Sequence, residues 1–322
     1  SCFSFMAQPL ISICIPAYKK PQFVVRLLHS VIQQSYKRVE IIISDDSPDE
    51  DIKEAIAPFN NQLTIYYYHN QPSLKSPRNW NAALNKANGE LLVLMHQDDW
   101  YHTPDALAQY VAAFEQNPDA DFVFCRNTAV DENGKETVLQ ARPELLKTMK
   151  RHPNRLVLAQ VIGPPSNTML RKTVQVRYDE RFIWLVDVDY YARVLKEGHN
   201  YVYLDKHLVS IGLHEDQTTV FCRTNDDIIF RENIWFASKI GAATFKDILI
   251  YDYYWRLLRN YNIRSLPDFE ANGISESQIP PKIKQMLSTH QKLTTASLKN
   301  GFYSKAQMVK SYMGWRLKKK AL

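Results

Sequence analysis

Residues 90–104, ELLVLMHQDDWYHTP, carry five consecutive apolar residues, Leu91 to Met95, into His96-Gln97-Asp98-Asp99 and then into Trp100 and Tyr101. The apolar half is near-continuous rather than alternating, the pattern of a strand covered on both faces. Two adjacent carboxylates stand at its carboxyl end. In an open parallel sheet, ligands bind beyond the carboxyl ends of the strands, where loops converge and helix N-termini point inward. Capping of the next helix accounts for Asp105, just after Pro104. Asp98 and Asp99 lie too near the strand for capping to account for both.

Working outward, similar runs recur: ISICI at 11–15, VEIIIS at 39–44, LTIYYY at 63–68 and DFVFC at 121–125. Helical patterns at 21–34, 49–57, 77–87 and 104–116 separate them, three with proline at or near the first turn. This alternation predicts an α/β chain with a mostly parallel central sheet flanked by helices and joined by right-handed crossovers. Past Val130, DENGK reads as a hairpin turn and GPPSNTMLRK (163–172) as a loop leading into a strand. Residues 189–197 predict a helix with Asp189 as N-cap and Gly198 as its stop. From Asp226 the pattern is mainly helical, so we expect a first domain over 6–222 and a helical C-terminal region over 223–322.

Hydrophobic residues make up 45% of the 322 and charged ones 23%, which leaves no argument for disorder or a repeat architecture. Cys2, Cys14, Cys125 and Cys222 form no C-x-x-C pair, which suits a reducing compartment. No apolar run approaches a membrane span and no secretory signal is evident, so a cytoplasmic location is expected. The net charge of +6 concentrates in the tail: Gly301 to Leu322 holds six basic residues and no acidic one. Phe302, Tyr303, Met308, Tyr312, Met313 and Trp315 are interleaved with them. Two readings fit, a solvated terminal helix or a helix lying on the anionic inner face of a membrane. No recognition module accompanies the patch, so nucleic acid is not an expected partner.

Two further strand ends carry polar groups: Pro16-Ala17-Tyr18 after the first strand and Asp45-Asp46-Ser47 after the second. With Asp98-Asp99 and a later pair, Asp187 and Asp189, they concentrate negative charge that a cation or hydrogen-bond donors must offset. Hard Mg²⁺ or Mn²⁺ prefers carboxylate oxygens and completes its shell with water and phosphates. PAYKKP is no glycine-rich turn and no G-x-x-x-x-G-K-[ST] occurs, which argues against dinucleotide-binding and P-loop enzymes.

ISICIPAYKKPQFVVRLLHSVIQQSY, VEIIISDDSPDE, PRNWNAALNKANGELLVLMHQDDW and DVDYYARVLKEG, in that order, resemble the family 2 glycosyltransferases with their GT-A fold, from about Leu10 to Thr219. The resemblance implies a Rossmann-like nucleotide-sugar half at about 6–130 and an acceptor half at about 131–222. It also implies a UDP-, GDP- or dTDP-sugar donor, Mn²⁺ or Mg²⁺, inversion at the anomeric carbon, and a hydroxyl of a glycan or lipid-linked glycan acceptor in surface polysaccharide assembly. Carried over by residue, Pro16, Ala17 and Tyr18 line the nucleoside site and one carboxylate of Asp45-Asp46, with Asp46 favoured, accepts from the base. Arg78 reaches the ribose or phosphates, or else makes a structural ion pair. Asp99 falls to the metal and Asp98 to the ribose or the metal, while His96 replaces a common aspartate. The acidic base motif lacks its usual glutamate, so Asp187 is the expected general base. His214 matches a histidine that some relatives set against the metal or diphosphate. Trp100, Tyr101, Trp184 and Ser166 are candidates for the acceptor side, with ordinary packing as the competing account of the aromatics. A nucleotidyltransferase using the same carboxylates, or a non-catalytic nucleotide- or glycan-binding subunit, are the alternatives.

Overall fold

The computed structural model describes residues 8–138 and 142–318. Its strands are β1 (Ile11–Ala17), β2 (Val39–Asp45), β3 (Ile65–His69), β4 (Leu91–Leu94), β5 (Trp100–Tyr101), β6 (Phe122–Val130), β7 (Glu136–Val138), β8 (Thr168–Arg171) and β9 (Tyr201–Gly212). They form one sheet in the order β3-β2-β1-β4-β8-β6-β9-β5, with β7 on β6. The helices interleaved with the first strands are α1 (Pro21–Ile32), α2 (Asp51–Ile56), α3 (Arg78–Asn85) and α4 (Ala106–Gln116). Pro21 supplies the first turn of α1, and Val24, Leu27, Leu28 and Val31 recur at helical spacing to face the sheet. They pack over Ile11, Ile13 and Ile15 of β1 and their neighbours Ile41, Ile43 and Val93. Cys14 and Cys125 are buried free thiols.

The strand order locates the site. β1 is parallel to β2 on one side and to β4 on the other, so the chain reverses its direction of travel between them. Loops at the carboxyl ends of β1 and β4 therefore diverge and leave a crevice. Beyond β4 the sheet turns mixed: β8 is antiparallel to β4 and β6, while β6 runs parallel to β9. Short β5 pairs antiparallel with the end of β9, Trp100 opposite Ser210. The five residues between β4 and β5 are thereby pinned against the end of β9. The mostly parallel sheet expected from sequence is thus parallel in its first half and mixed in its second.

The DENGK turn joins β6 to β7, with Asp131 Oδ1 accepting from the amides of Asn133 and Lys135 and with Gly134 in the left-handed region at φ 78°. Next come α5 (Pro143–Met149) and α6 (Val186–Lys196). α6 begins three residues earlier than expected, its N-cap position taken by Leu185, so Asp189 is not the cap. Instead Asp189 sits in the first turn and accepts from Arg193 Nε one turn on, at 2.9 Å.

The chain divides into two compact units, one running to Lys150 and including Gln160–Gln217, the other made of Arg151–Ala159 and everything from Thr218. A division drawn at 222 leaves 151–159 on the sheet side; that segment belongs with the helices, where Arg155 makes two bonds to Asp247, at 2.6 and 3.3 Å. The second unit contains α7 (Thr218–Thr224), α8 (Asp226–Ile240), α9 (Ile248–Asn260), α10 (Leu266–Ala271), α11 (Pro281–His290), α12 (Thr295–Lys299) and α13 (Gly301–Lys318). Its core is aromatic: Phe230, Phe236, Phe245, Tyr251, Tyr254 and Trp255 are fully buried. Among the described residues no helix is long and apolar enough to cross a membrane.

Candidate active site

The residues following β4 form a turn closed by Asp99 N–H donating to His96 O. Its two carboxylates face different surroundings. Asp99 is 2% exposed, and both of its oxygens are engaged: Oδ2 accepts from Ser166 Oγ at 2.5 Å and Oδ1 from Gly212 N at 3.2 Å. Burial and the adjacent Asp98 charge push its pKa well above the ordinary carboxylate range. Asp98 is half-buried, its Oδ2 2.9 Å from His214 Nε2. Burial alone would raise the Asp98 pKa, but the His214 hydrogen bond and the neighbouring imidazoles outweigh it and the net shift is downward. His214 Nδ1 is sealed from solvent without a partner, and its ring packs on Phe23 at 4.9 Å.

Ser166 fixes this geometry from below. Fully buried, it donates to Asp99 and accepts from His96 N–H at 3.0 Å, so one hydroxyl holds both ends of the turn. A group with no exposed surface cannot meet an acceptor sugar, which corrects the acceptor-side expectation for Ser166. Arg26, not anticipated from sequence, supports the turn from α1: its Nη2 donates to Asp98 O at 2.7 Å and its guanidinium lies 3.8 Å from the Trp100 ring centre. Burial lowers its pKa, against the opposing pull of Asp98 and Asp99. One face of Trp100 is thus covered by a half-buried cation. The available signal for Arg26 was one charge inside the otherwise apolar FVVRLL of α1.

Across the crevice, Gln97 locks the two strand ends together, accepting from Tyr18 N and donating to Tyr18 O, both at 3.0 Å. Pro16 and Ala17 are buried, while Tyr18 is 51% exposed, so of these three only Tyr18 presents its side chain. At the end of β2 both aspartates are buried and engaged. Asp45 accepts from Ser47 N and Tyr67 Oη, at 2.8 and 2.7 Å. Asp46 accepts from Asn70 Nδ2 and the amides of Leu74 and Lys75, at 2.8–3.0 Å. Asp46 therefore shapes the loop leading into α3. Arg78, at the start of α3, makes an exposed ion pair with Glu180 at 2.9 Å.

Asp187 occupies the first turn of α6. It is half-buried, its Oδ1 sealed and without a hydrogen-bond partner. Burial raises its pKa from 3.8 to about 7. It lies close enough to Tyr178 and Tyr191 for its charge to raise both phenols. A chain of rings links it to the β4 turn: Tyr178 meets Trp80 edge-on at 5.1 Å, and Trp80 meets His96 at 4.8 Å. Trp80 is a second residue that sequence reasoning missed. Its place in RNWNAAL gave no cue, since an aromatic on a short helix is ordinarily core. Trp184 is half-buried two residues before α6.

The groups fit a divalent cation. One nitrogen or oxygen from each of His96, Asp98 and Asp99 lies within 4.8 Å of the others, and carboxylate plus imidazole is a set that Mn²⁺ accepts.

The sequence profile of glycosyl transferase family 2 matches residues 12–178. An uncharacterised protein of Mycobacterium tuberculosis is 29% identical over 71% of this chain and 75% of its own length. An uncharacterised glycosyltransferase of Methanocaldococcus jannaschii is 25% identical over 63% of this chain and 71% of that one. Among solved structures, Staphylococcus aureus TarS (residues 1–349) in complex with UDP-GlcNAc superposes with a TM-score of 0.61 at 18% identity, covering 94% of this chain and 89% of that one. The mannosyltransferase PcManGT of Pyrobaculum calidifontis, in complex with GDP-Man and Mn²⁺, superposes with a TM-score of 0.56 at 16% identity, covering 95% and 85%. With the carboxylates gathered at the carboxyl ends of a switch-point sheet and half the chain matched by the family profile, this chain belongs to glycosyl transferase family 2 and is a glycosyltransferase of the GT-A fold.

Proposed function

We propose that the chain moves a sugar from a nucleoside diphosphate sugar to a hydroxyl of a glycan or lipid-linked glycan, with inversion at the anomeric carbon. The donor class is supported by the UDP-GlcNAc and GDP-Man complexes of its structural neighbours. The nucleoside lies over the ends of β1 and β2 with Tyr18 beside it, in a loop framework that Asp46 holds in shape. His96 and Asp98 would hold the cation, with His214 hydrogen-bonded beside Asp98. Asp99, with both oxygens engaged below the turn, acts as a positioning residue for Asp98. When bound, a divalent cation offsets the charge that grows on the departing diphosphate.

Asp187 is the general base. A carboxyl group poised near neutral pH suits the task, because the acceptor hydroxyl becomes acidic only as its oxygen bonds to the anomeric carbon. Asp187 then takes that proton, while the bond between the sugar and the diphosphate breaks on the opposite face. The single observation that carries the reading is the partnerless Asp187 Oδ1, joined through Tyr178 and Trp80 to the turn that bears Asp98. A partnerless carboxylate oxygen beside other polar side chains is free to accept a proton from a substrate hydroxyl.

A thermal-shift panel of UDP-, GDP- and dTDP-sugars with and without Mn²⁺ tests it, paired with slow donor hydrolysis. A donor at one hundred times its Kd stabilises the fold by about 2.7 kcal/mol. We expect stabilisation that needs Mn²⁺ and disappears in Asp98→Ala. No shift with any donor overturns the reading.

A further inference from the structure

Helix α13 is apolar on two opposite sides. Its inner side is accounted for: Ser304, Met308 and Tyr312 are buried, with Trp255 Nε1 donating to Ser304 Oγ at 3.0 Å and Tyr312 Oη to Lys246 O at 2.6 Å. Met308 and Tyr312, grouped from sequence with the surface-seeking residues of the tail, therefore belong to the core of the helical unit. The outer side has no such account. Phe302 is 90% exposed, and Val309 and Met313 are exposed with it. At about 100° per residue these three fall on one stripe together with Ala306, facing away from the buried side. Tyr303 and Lys310 border the stripe on one flank and Lys305 on the other, all exposed.

Within α13 itself the charge has one sign. Glu276 is the last acidic residue of the chain, Lys305 and Lys310 flank the stripe, and Lys299 is exposed two residues before α13. At the N-terminal end of α13, a cavity of about 90 Å³ is lined by Trp255, Arg256, Arg259, Ser304 and Lys305 beside Asp252. Asp252 binds Arg256 Nε at 3.1 Å and Lys305 Nζ at 3.0 Å, so three cations stand against one carboxylate.

We propose that α13 is a membrane-docking helix that lies in the headgroup region of an anionic bilayer, with Phe302, Val309 and Met313 inserted and the lysines against lipid phosphates. A bilayer offers an apolar layer and a negative surface to one helix face at once. A second copy of the chain would set Lys305 and Lys310 against their own kind.

Flotation of the full chain with vesicles of phosphatidylcholine containing phosphatidylglycerol tests this, with phosphatidylcholine vesicles alone as the second arm. We expect binding to the anionic vesicles that weakens as salt is raised, and binding at least tenfold weaker to the neutral ones. Phe302→Ser/Val309→Ser/Met313→Ser and, separately, Lys299→Glu/Lys310→Glu are expected to lower anionic binding about tenfold or more. All five side chains are exposed, and unchanged melting verifies that each variant folds. The proposal is overturned if the wild-type chain does not float, if the triple serine variant floats as well as wild type, or if sedimentation shows a dimer that the triple variant dissolves. None of these readings depends on donor or transfer, so they stand apart from the test of the transferase site.

Discussion

Asp187 in the sheet unit and His290 in the helical unit each keep sealed polar atoms without hydrogen-bond partners, Oδ1 of the one and both ring nitrogens of the other. Burial is the first cause of both shifts, raising Asp187 to about 7 and lowering His290 to about 4. The surroundings differ. Asp187 lies in the first turn of a helix, beside phenols that lead through Trp80 to His96 and the acidic turn. His290 stands edge-on to Trp255 at 4.1 Å, and Arg264 and Arg259 add repulsion that keeps it neutral. A partnerless polar atom thus points to chemistry when other polar groups converge near it. Inside a closed aromatic core it is a cost of packing.

The largest expected effect breaks that comparison at Asp187. Asp187→Asn should lower kcat by about 10²–10⁴-fold, the usual contribution of a positioned general base, while metal-dependent donor binding persists. Wild-type turnover should rise as pH passes upward through about 7, where the carboxylate ionises in the fold. Stability should move the other way. Because its folded pKa lies above its unfolded value of 3.8, the native protein holds a proton that the unfolded chain has lost, and stability falls as pH climbs from about 4 to 7. The full difference corresponds to as much as about 4 kcal/mol at 1.36 kcal/mol per pKa unit. Asp187→Asn should therefore melt higher than wild type at pH 8 and near it at pH 4. A variant that melts lower at pH 8 would show that the carboxylate has a stabilising partner, and the contrast with His290 would dissolve.

His290 should show the opposite slope. Its folded pKa lies below the unfolded 6.5, so the stability present above 6.5 is lost progressively as pH falls toward about 4, by up to about 3 kcal/mol. His290→Leu should remove that part of the acid sensitivity without touching kcat. An acid melting profile of His290→Leu that matches wild type would place the loss elsewhere, among the carboxylates.

A smaller effect sharpens the division of labour inside the turn. Ser166→Ala deletes the hydroxyl that holds His96 N–H and Asp99 together, leaving a buried donor and a buried carboxylate oxygen unmatched. Loss of such a support costs metal affinity about 10–100-fold. The apparent Kd for Mn²⁺, read from donor stabilisation, should rise by that factor, and Ser166→Thr should recover part of it. Gly212 serves the same turn by allowing close approach: a Cβ there would lie 2.4 Å from Asp98 O.

Strands β1 to β4 and β6 and the first four helices were legible in the sequence, the strands as short apolar runs and the helices by their spacing and first-turn prolines. Asp98 and Asp99 were legible as a pair, since a carboxylate at the end of a buried strand is costly without a purpose. Which of the two faces inward was not. That choice depends on Ser166 and Gly212, 67 and 113 residues away in the chain, and nothing in HQDD records it. Arg26, Trp80 and the attachment of 151–159 to the helical unit were hidden for the same reason, as each is defined by contacts distant in sequence. The start of α6 was misjudged because Asp189 looked like a cap, whereas its carboxylate is committed to Arg193.

Arg78 offers the smallest and most discriminating test, because its two readings differ in kind. Its side chain is 62% exposed and its Nε bonds to Glu180, which is itself exposed, so as a structural pair it is worth only about 0–1 kcal/mol. Arg78→Ala should leave melting nearly unchanged on either reading. If the guanidinium swings from Glu180 to the donor diphosphate, however, the KM for the nucleotide-sugar should rise several-fold while kcat holds, since a contact present equally in the ground and transition states affects binding alone. Glu180→Gln should then lower that KM, because it frees the arginine. If Glu180→Gln and Arg78→Ala both leave KM unchanged, the pair belongs to the surface and takes no part in holding the donor.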